Sequence, residues 1–204
     1  MEIILVRHAL PVRREATVGP ADPELSAIGH QQAGYVAEYL ASEKIDALYT
    51  SPMQRARQTC APIAVIHKLV PTVVQGVAEW DQNSNEYIPI EELKATNDPR
   101  WQAMVAGEWK SDESMEDFSA RVIESIEKIV SAHSGDRVAV VCHGGVINCY
   151  LAHVLGLPNG QFFYPNYTSL HRIAASSRGH RSVVSVNETS HLRGTGLVMG
   201  LFDA

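Results

Sequence analysis

The sequence has 204 residues, 45% of them hydrophobic and 20% charged, and its formal net charge is −6. A chain of this length can form a real core without disulfides or metals, and its charge gives no indication of a nucleic-acid or polyanion binder. The cysteines Cys60, Cys142 and Cys149 show no CxxC spacing, which argues against a disulfide framework or a zinc site and favours a reducing compartment. Neither a signal-peptide pattern nor an apolar run of the ~18 residues that a membrane span needs is found, so we expect a cytoplasmic protein.

Short β-branched runs alternate with helical patterns along the chain, which is typical of a layered α/β domain. The first predicted strand is Glu2–Val6, and a loop rich in Gly and Pro follows it at 11–23. A helix with an apolar stripe starts near Ser26. A second strand is predicted at Ala47–Thr50 and a third at Thr72–Gln75. Because helices separate these early strands, we expect a mostly parallel sheet.

The second helix has three start signals. Ser51 is expected to cap it, Pro52 suits the first helical position, and Gln54 would complete a capping box. Basic side chains are unfavourable in the first turn of a helix. Arg55 in that turn therefore indicates a nearby anion, whereas Arg57 is expected to be a solvated or ion-paired side chain.

The region 80–113 is the least regular part of the chain and contains all three tryptophans. We expect a cap-like insertion, mostly helical in its middle, over one end of the sheet. We expect its tryptophans to pack in the core of the insertion and not to form a platform for the substrate. Ser114 is expected to cap a long helix that follows the insertion.

The clearest buried strand is Val138–Cys142, and the helix after it is opened by His143-Gly144-Gly145 and ends before Gly156. Cys142 is expected to pack at the end of this strand. Two late strands are predicted at Ser169–Ala174 and Ser182–Val186, and the last residues are expected to form an irregular tail.

Charged or titratable side chains follow four predicted strands. Arg7 and His8 come directly after the first strand, Arg55 after the second, Glu79 shortly after the third, and His143 after the buried strand Val138–Cys142. Ligands of parallel α/β sheets bind beyond the carboxyl ends of the strands. Because arginine forks match phosphate oxygens, the sequence predicts a site for a phosphoryl group there, and Gly144 would let backbone amides approach it closely.

The two histidines and a carboxyl group suit phosphoryl transfer. A histidine beside arginines titrates low, and a neutral imidazole is a competent nucleophile, which is the role assigned to His8. Its other ring nitrogen needs an acceptor, for which a backbone carbonyl is expected. His143 would donate to the phosphoryl oxygens, and Glu79 would act first as acid and then as base, with Asp81 as the alternative.

Six segments resemble the histidine phosphatase superfamily, also called the phosphoglycerate mutase-like family. In chain order they are LVRHA (5–9), LSAIGHQQA (25–33), SPMQRARQT (51–59), GVAEW (76–80), DESMEDFSARV (112–122) and VCHGG (141–145). The resemblance covers residue 3 to about residue 155. It implies one domain over 1–204, a three-layer α/β/α sandwich whose mixed sheet contains one antiparallel strand, and no metal or organic cofactor.

The resemblance also implies roles for individual residues. His8 matches the phosphorylated histidine, Arg7, Arg55 and His143 match the phosphate pocket, and Glu79 matches the proton donor.

Two departures from the family pattern bear on function. Ala9 stands where the family usually has glycine, and its methyl group is expected to crowd the backbone near the phosphate. Mutases carry basic residues after the catalytic glutamate, but WDQNSNEY (80–87) has none; Lys94, Arg100 and Lys110 come later.

Three functions are weighed. The favoured one is hydrolysis of a small phosphorylated metabolite, a phosphomonoester, through a phosphohistidine. The alternatives are phosphoglycerate mutase-type transfer and a phospho-ligand-binding module without turnover. The expected partner is a small phosphate ester, with neither nucleic acid nor membrane, and a homodimer is left open.

Overall fold

We describe a computed structural model, which covers residues 1–106 and 113–202. Its main sheet has six strands: β1 (Glu2–Arg7), β3 (Ala47–Thr50), β4 (Thr72–Val73), β6 (Arg137–Cys142), β7 (Leu170–Ala175) and β8 (Arg181–Glu188). Two short strands, β2 (Arg14–Glu15) and β5 (Glu86–Tyr87), pair separately. The helices are α1 (Ala27–Leu40), α2 (Gln54–His67), α3 (Ile90–Ala95), α4 (Pro99–Val105), α5 (Met115–Ala132) and α6 (Gly144–Leu155).

The main sheet has the strand order β4-β3-β6-β1-β7-β8, and β7 is antiparallel to both of its neighbours. β1 and β6 are parallel, with Arg7 opposite Cys142, so both strands end at one edge of the sheet. β3 is also parallel to β6. Arg7, His8 and His143 therefore leave the sheet at one edge, as expected from the sequence, and Ser51 at the end of β3 lies at the same edge.

Alternating side chains of the strands form the two halves of the core. Ile3 and Leu5 pack with α5 and α6 on one face, whereas Ile4 and Val6 pack with α1 and α2 on the other. Because successive strand residues point to opposite faces, both faces of β1 are apolar and both need a helical layer. The predicted three-layer α/β/α sandwich with one antiparallel strand is confirmed.

The predicted start of the second helix is wrong. The helix begins at Gln54, with Met53 at the capping position, and Ser51 lies outside it. A carboxylate from the loop between β1 and α1 takes the capping role, because Asp22 accepts a hydrogen bond from the Gln54 amide. The hydroxyl of Ser51 is instead engaged at the sheet edge. Arg55 still lies in the first turn, as predicted, and Arg57 is exposed.

The strand after α2 is shorter than predicted, because a 3-10 turn at Gln75–Val77 replaces its second half. In the insertion, β5 pairs with β2 of the loop after β1, and α3 and α4 follow. Trp109 and Lys110 lie outside the described residues. The division into one domain with a cap-like insertion remains a prediction.

The last described residues form an irregular tail, as the sequence indicates, and hydrogen bonds hold this tail to distant parts of the chain. After a 3-10 turn at Ser190–Leu192 the chain crosses the edge of the sheet that carries the site. The carbonyl of Met199 accepts from the Tyr167 amide, Val198 from Gln32, and Leu201 from Lys94. Within the described part of the chain, none of the helices has the length and apolarity that crossing a membrane requires.

Candidate active site

His8 lies at the centre of the site, at the carboxyl end of β1. Its side chain is buried, and its ring centroid is 5.1 Å from that of His143. Nδ1 is 2.8 Å from the carbonyl oxygen of Ala9. Because a carbonyl can only accept, Nδ1 carries the proton and the lone pair is on Nε2. Burial, and then the charges of Arg55 and Arg7, hold the pKa of His8 well below its usual value. The imidazole is therefore neutral and suited to attack on phosphorus.

The two arginines are held by aromatic rings. The Arg7 guanidinium lies 4.1 Å from the ring centroid of Tyr167, and its Nη1 donates to the carbonyl of Pro165 at 2.5 Å. The Arg55 guanidinium lies 4.7 Å from the ring centroid of Tyr87, and its Nη2 donates to Asp81 at 2.6 Å. The rings fix each planar guanidinium in one orientation.

Several donors of these arginines have no partner among the described residues. They are Nε of Arg7 and both Nε and Nη1 of Arg55, whose side chain is fully buried. Unpartnered buried donors are costly, and such donors on a cation indicate that an anion is the missing partner.

The second histidine is oriented by a serine. His143 Nε2 lies 2.7 Å from the hydroxyl oxygen of Ser51, which accepts from the Met53 amide. The hydroxyl can donate to Nε2 or accept from it, and we infer the first arrangement, in which the ring proton of His143 is on Nδ1. Nδ1 is buried and has no partner in the described part of the chain. Burial, and then Arg55, lower the pKa of His143 far below its usual value, so this neutral ring is a hydrogen-bond donor for a ligand.

The carboxylate of Glu79 is anchored by two backbone amides. Oε2 accepts from Gly145 at 2.7 Å and Oε1 from Trp80 at 3.1 Å. A side chain at position 145 would displace this carboxylate, because an ideal Cβ there would lie 2.3 Å from Oε1. Burial, and then the nearby charge of Asp81, raise the pKa of Glu79. Glu79 is thus a carboxyl group prepared to carry a proton.

The structure brings together the predicted residues Arg7, His8, Arg55, Glu79 and His143. Gly144 lies beside them, since a Cβ there would be 3.9 Å from Arg7 Nε. The Gly145 amide is taken by Glu79 and is not a free donor for a ligand. Asp81, the alternative acid, is instead paired with Arg55.

Two doubts raised by the sequence find an answer in the packing. The Ala9 side chain packs with Leu25 and Ala33, which places its methyl group in a small apolar cluster and not as an obstacle at the phosphate. Cys142 is fully buried, and burial raises the pKa of its thiol, so packing is its role as expected. Trp80 packs on Phe118, with ring centroids 4.9 Å apart.

Sequence reasoning missed that Ser51 contacts His143 and that Tyr87 and Tyr167 cover the two arginines. Tyr167 precedes β7, the antiparallel strand, whose amino end lies where the parallel strands have their carboxyl ends. The rule used on the sequence considered carboxyl ends alone, so it passed over this segment. The described residues hold no group of three or more His, Cys, Asp or Glu side chains that could bind a metal ion.

Comparisons with known proteins show the family and the fold of the chain. The family model of the histidine phosphatase superfamily (branch 1) matches residues 3–189. A probable phosphoglycerate mutase of Yersinia enterocolitica is 28% identical, covering 78% of this chain and 76% of the relative. Phosphoserine phosphatase 1 of Hydrogenobacter thermophilus is 27% identical, covering 94% of each. The crystal structure of an Entamoeba histolytica phosphoserine phosphatase with 3-phosphoglyceric acid is 23% identical and superimposes with a TM-score of 0.73, over 94% of this chain and 98% of that one.

Proposed function

The chain belongs to the histidine phosphatase superfamily, and from its site we propose that it hydrolyses small phosphomonoesters through a phosphohistidine on His8. The observation that supports this best is the pairing of a free Nε2 lone pair on His8 with unpartnered arginine donors around it. Phosphoryl transfer needs a neutral nucleophile and donors that bind the phosphoryl oxygens. We call the donors of Arg7, Arg55 and His143 the phosphate cradle.

In the first step, the phosphoryl group lies between Arg7, Arg55 and His143. Nε2 of His8 forms a bond to phosphorus while the phosphorus–oxygen bond of the ester breaks. The leaving oxygen takes a proton from Glu79, whose raised pKa favours the protonated form. The arginines and Nδ1 of His143 stabilise the charge on the phosphoryl oxygens.

In the second step, the Glu79 carboxylate accepts a proton from a water molecule. The water oxygen bonds to phosphorus, the nitrogen–phosphorus bond breaks, and its electron pair returns to Nε2 of His8. Glu79 is protonated again and phosphate leaves. The cycle as written uses side chains of this chain and one water, so it needs neither a metal ion nor an organic cofactor.

The test is hydrolysis of an aryl phosphate in the presence of a metal chelator. We expect turnover, and His8→Ala should lower kcat by about a thousandfold or more, as removal of a covalent nucleophile does. His180→Ala is the matched control, since this exposed histidine lies in the turn between β7 and β8. Loss of activity with the chelator, or a fully active His8→Ala variant, would contradict the proposal.

Mutase-type transfer is the second candidate, because several relatives are named as probable phosphoglycerate mutases. It predicts dependence on a bisphosphorylated primer and slow net release of phosphate. A third candidate, a binding module without turnover, predicts phosphate binding by calorimetry and hydrolysis of none of the esters tried.

A further inference from the structure

Resting on the proposed phosphatase activity, we propose that Glu91 makes this site select phosphomonoesters whose other end is neutral or cationic. Esters with a carboxylate or a second phosphate would be disfavoured. The proposal concerns the part of the substrate outside the phosphate cradle, which the catalytic residues do not determine.

Glu91 lies one tyrosine ring away from the cradle. It belongs to α3 of the insertion, and its carboxylate accepts from the Tyr167 hydroxyl, at 3.0 Å for Oε1 and 3.2 Å for Oε2. The ring of the same tyrosine covers Arg7 and lies 6.0 Å from the ring of His8. Tyr167 thus fixes a negative charge at a defined position beside the cradle.

The described Lys and Arg side chains in the segments next to Glu91 already have partners. In the loop 10–24 and in residues 80–106, each Lys or Arg has a partner. Arg13 pairs with Glu15 and Glu92, Arg14 with Glu24, and Arg100 with Glu86 and Asp98, while Lys94 donates to the carbonyl of Leu201 and lies over the ring of Phe202. A second anionic group on a substrate would therefore have to displace a carboxylate from one of the three arginines or draw Lys94 away from the Leu201 carbonyl.

The hydrogen bond that Glu91 receives comes from a neutral hydroxyl and not from a cation, so its charge is not cancelled by an ion pair in the described part of the chain. The unpartnered donors of Arg7 and Arg55 independently fix the phosphate end of the ester. We place the other end of a bound ester beside α3, on the side of the site where Glu91 lies next to Tyr167. An ammonium group there is attracted, and a carboxylate is repelled.

Three esters of matched length test the charge preference: 2-aminoethyl, 2-hydroxyethyl and 2-carboxyethyl phosphate. At low ionic strength, kcat/KM for the carboxyethyl ester should be about tenfold below that for the hydroxyethyl ester, and the aminoethyl ester should equal or exceed the latter. Added salt screens partly exposed charges, so about 0.5 M NaCl should reduce the difference in the wild-type protein.

The variant Glu91→Gln keeps an acceptor for the Tyr167 hydroxyl and removes the charge. The ratio of kcat/KM for the aminoethyl and carboxyethyl esters should fall by about fivefold or more. Glu38→Gln, an exposed carboxylate near the far end of α1, is the matched control and should leave this ratio as in the wild type.

The inference is overturned if wild-type protein hydrolyses the carboxyethyl ester as well as the hydroxyethyl ester, or if Glu91→Gln keeps the wild-type ratio. These outcomes leave the phosphatase proposal intact, because hydrolysis itself would be observed. If none of the three esters and no aryl phosphate is hydrolysed, the proposed function fails and the inference fails with it.

Discussion

At the scale of single residues, the position of the proton on each of two imidazoles determines whether the ring can act as a nucleophile or as a hydrogen-bond donor. His8 donates Nδ1–H to the Ala9 carbonyl and keeps a lone pair on Nε2. For His143 we infer the opposite arrangement, in which Nε2 accepts from the Ser51 hydroxyl and Nδ1 keeps the proton. Burial keeps both rings neutral, as the lowered pKa of each indicates. We propose that one ring is the nucleophile and the other a donor because their partners differ.

Ser51→Ala tests the orienting role of the serine. Without the hydroxyl, Nε2 of His143 loses its partner and the ring proton can move to it, so that Nδ1 no longer donates to the phosphoryl group. We expect kcat to fall by about ten- to a hundredfold, which is less than the roughly hundred- to thousandfold loss on removal of an oriented donor itself. The ring nitrogen shifts of His143, measured by NMR, should report the changed tautomer. An unchanged tautomer together with reduced kcat would assign Ser51 a structural role instead.

The pH dependence follows from the two pKa shifts. His8 must be neutral, and its lowered pKa places loss of activity on acidification well below its usual titration range. Glu79 must be protonated to serve the leaving group, and its raised pKa keeps the proton to higher pH than an ordinary glutamate does. For an alkyl ester, kcat/KM should therefore be highest between these two pKa values and fall as pH rises through that of Glu79.

A paired measurement isolates Glu79. An aryl ester has a leaving group that needs little protonation, so its alkaline decline should be weaker than that of an alkyl ester. Glu79→Gln should slow the alkyl ester far more than the first step of the aryl ester. Equal effects on both esters would contradict the role as general acid.

At the scale of elements, the amino end of α6 positions the acid. The Gly145 amide donates to Glu79, and this close approach is available to glycine alone. Because the residue is helical, the side chain that a substitution adds would displace the carboxylate and not the backbone fold of α6.

Gly145→Ala should therefore lower kcat for alkyl esters by about ten- to a hundredfold while the protein stays folded. Gly34→Ala is a matched control within α1, where an added Cβ would have no neighbour within 4 Å and should be neutral or slightly stabilising. The measurements are kcat on an alkyl ester and thermal unfolding. A fully active Gly145→Ala variant would show that the function of Glu79 does not depend on the position in which the Gly145 amide holds its carboxylate.

The elements differ in how far the sequence alone could predict them. The parallel strands β1, β3 and β6 place Arg7, Arg55 and His143 at one edge, and their sequence pattern was sufficient to foresee this. The start of α2 was not foreseeable from Ser51-Pro52, because a residue distant in sequence, Asp22, supplies the cap. Long-range partners of this kind leave no local signal.

At the scale of the whole molecule, segments far apart in the chain close over the sheet edge. Tyr87 of the insertion lies over Arg55, Tyr167 over Arg7, and the last described residues contact Gln32, Lys94 and Tyr167. Hydrophobic periodicity predicted a layered α/β domain because each layer buries an apolar face, and the family resemblance implied that the layers are three. Periodicity could not predict this closure, since single hydrogen bonds between distant segments hold it.

Truncation after Gly196 tests the contribution of the crossing segment. It removes Leu201, which is 7% exposed, and the carbonyl acceptors of Val198, Met199 and Leu201. Loss of one buried leucine should lower the free energy of unfolding by about 2 kcal/mol, measured by urea denaturation. An unchanged free energy of unfolding would mean that the segment adds no stability.

The most direct test of the account is to identify the phosphorylated residue during turnover. Rapid quenching with a labelled phosphomonoester in the presence of a chelator, followed by peptide mass spectrometry under alkaline conditions, should place an acid-labile phosphoryl group on His8. Release of the label should be slowed in Glu79→Gln. Label on another residue, such as Cys142, or turnover in which His8 never carries phosphate, would contradict the account.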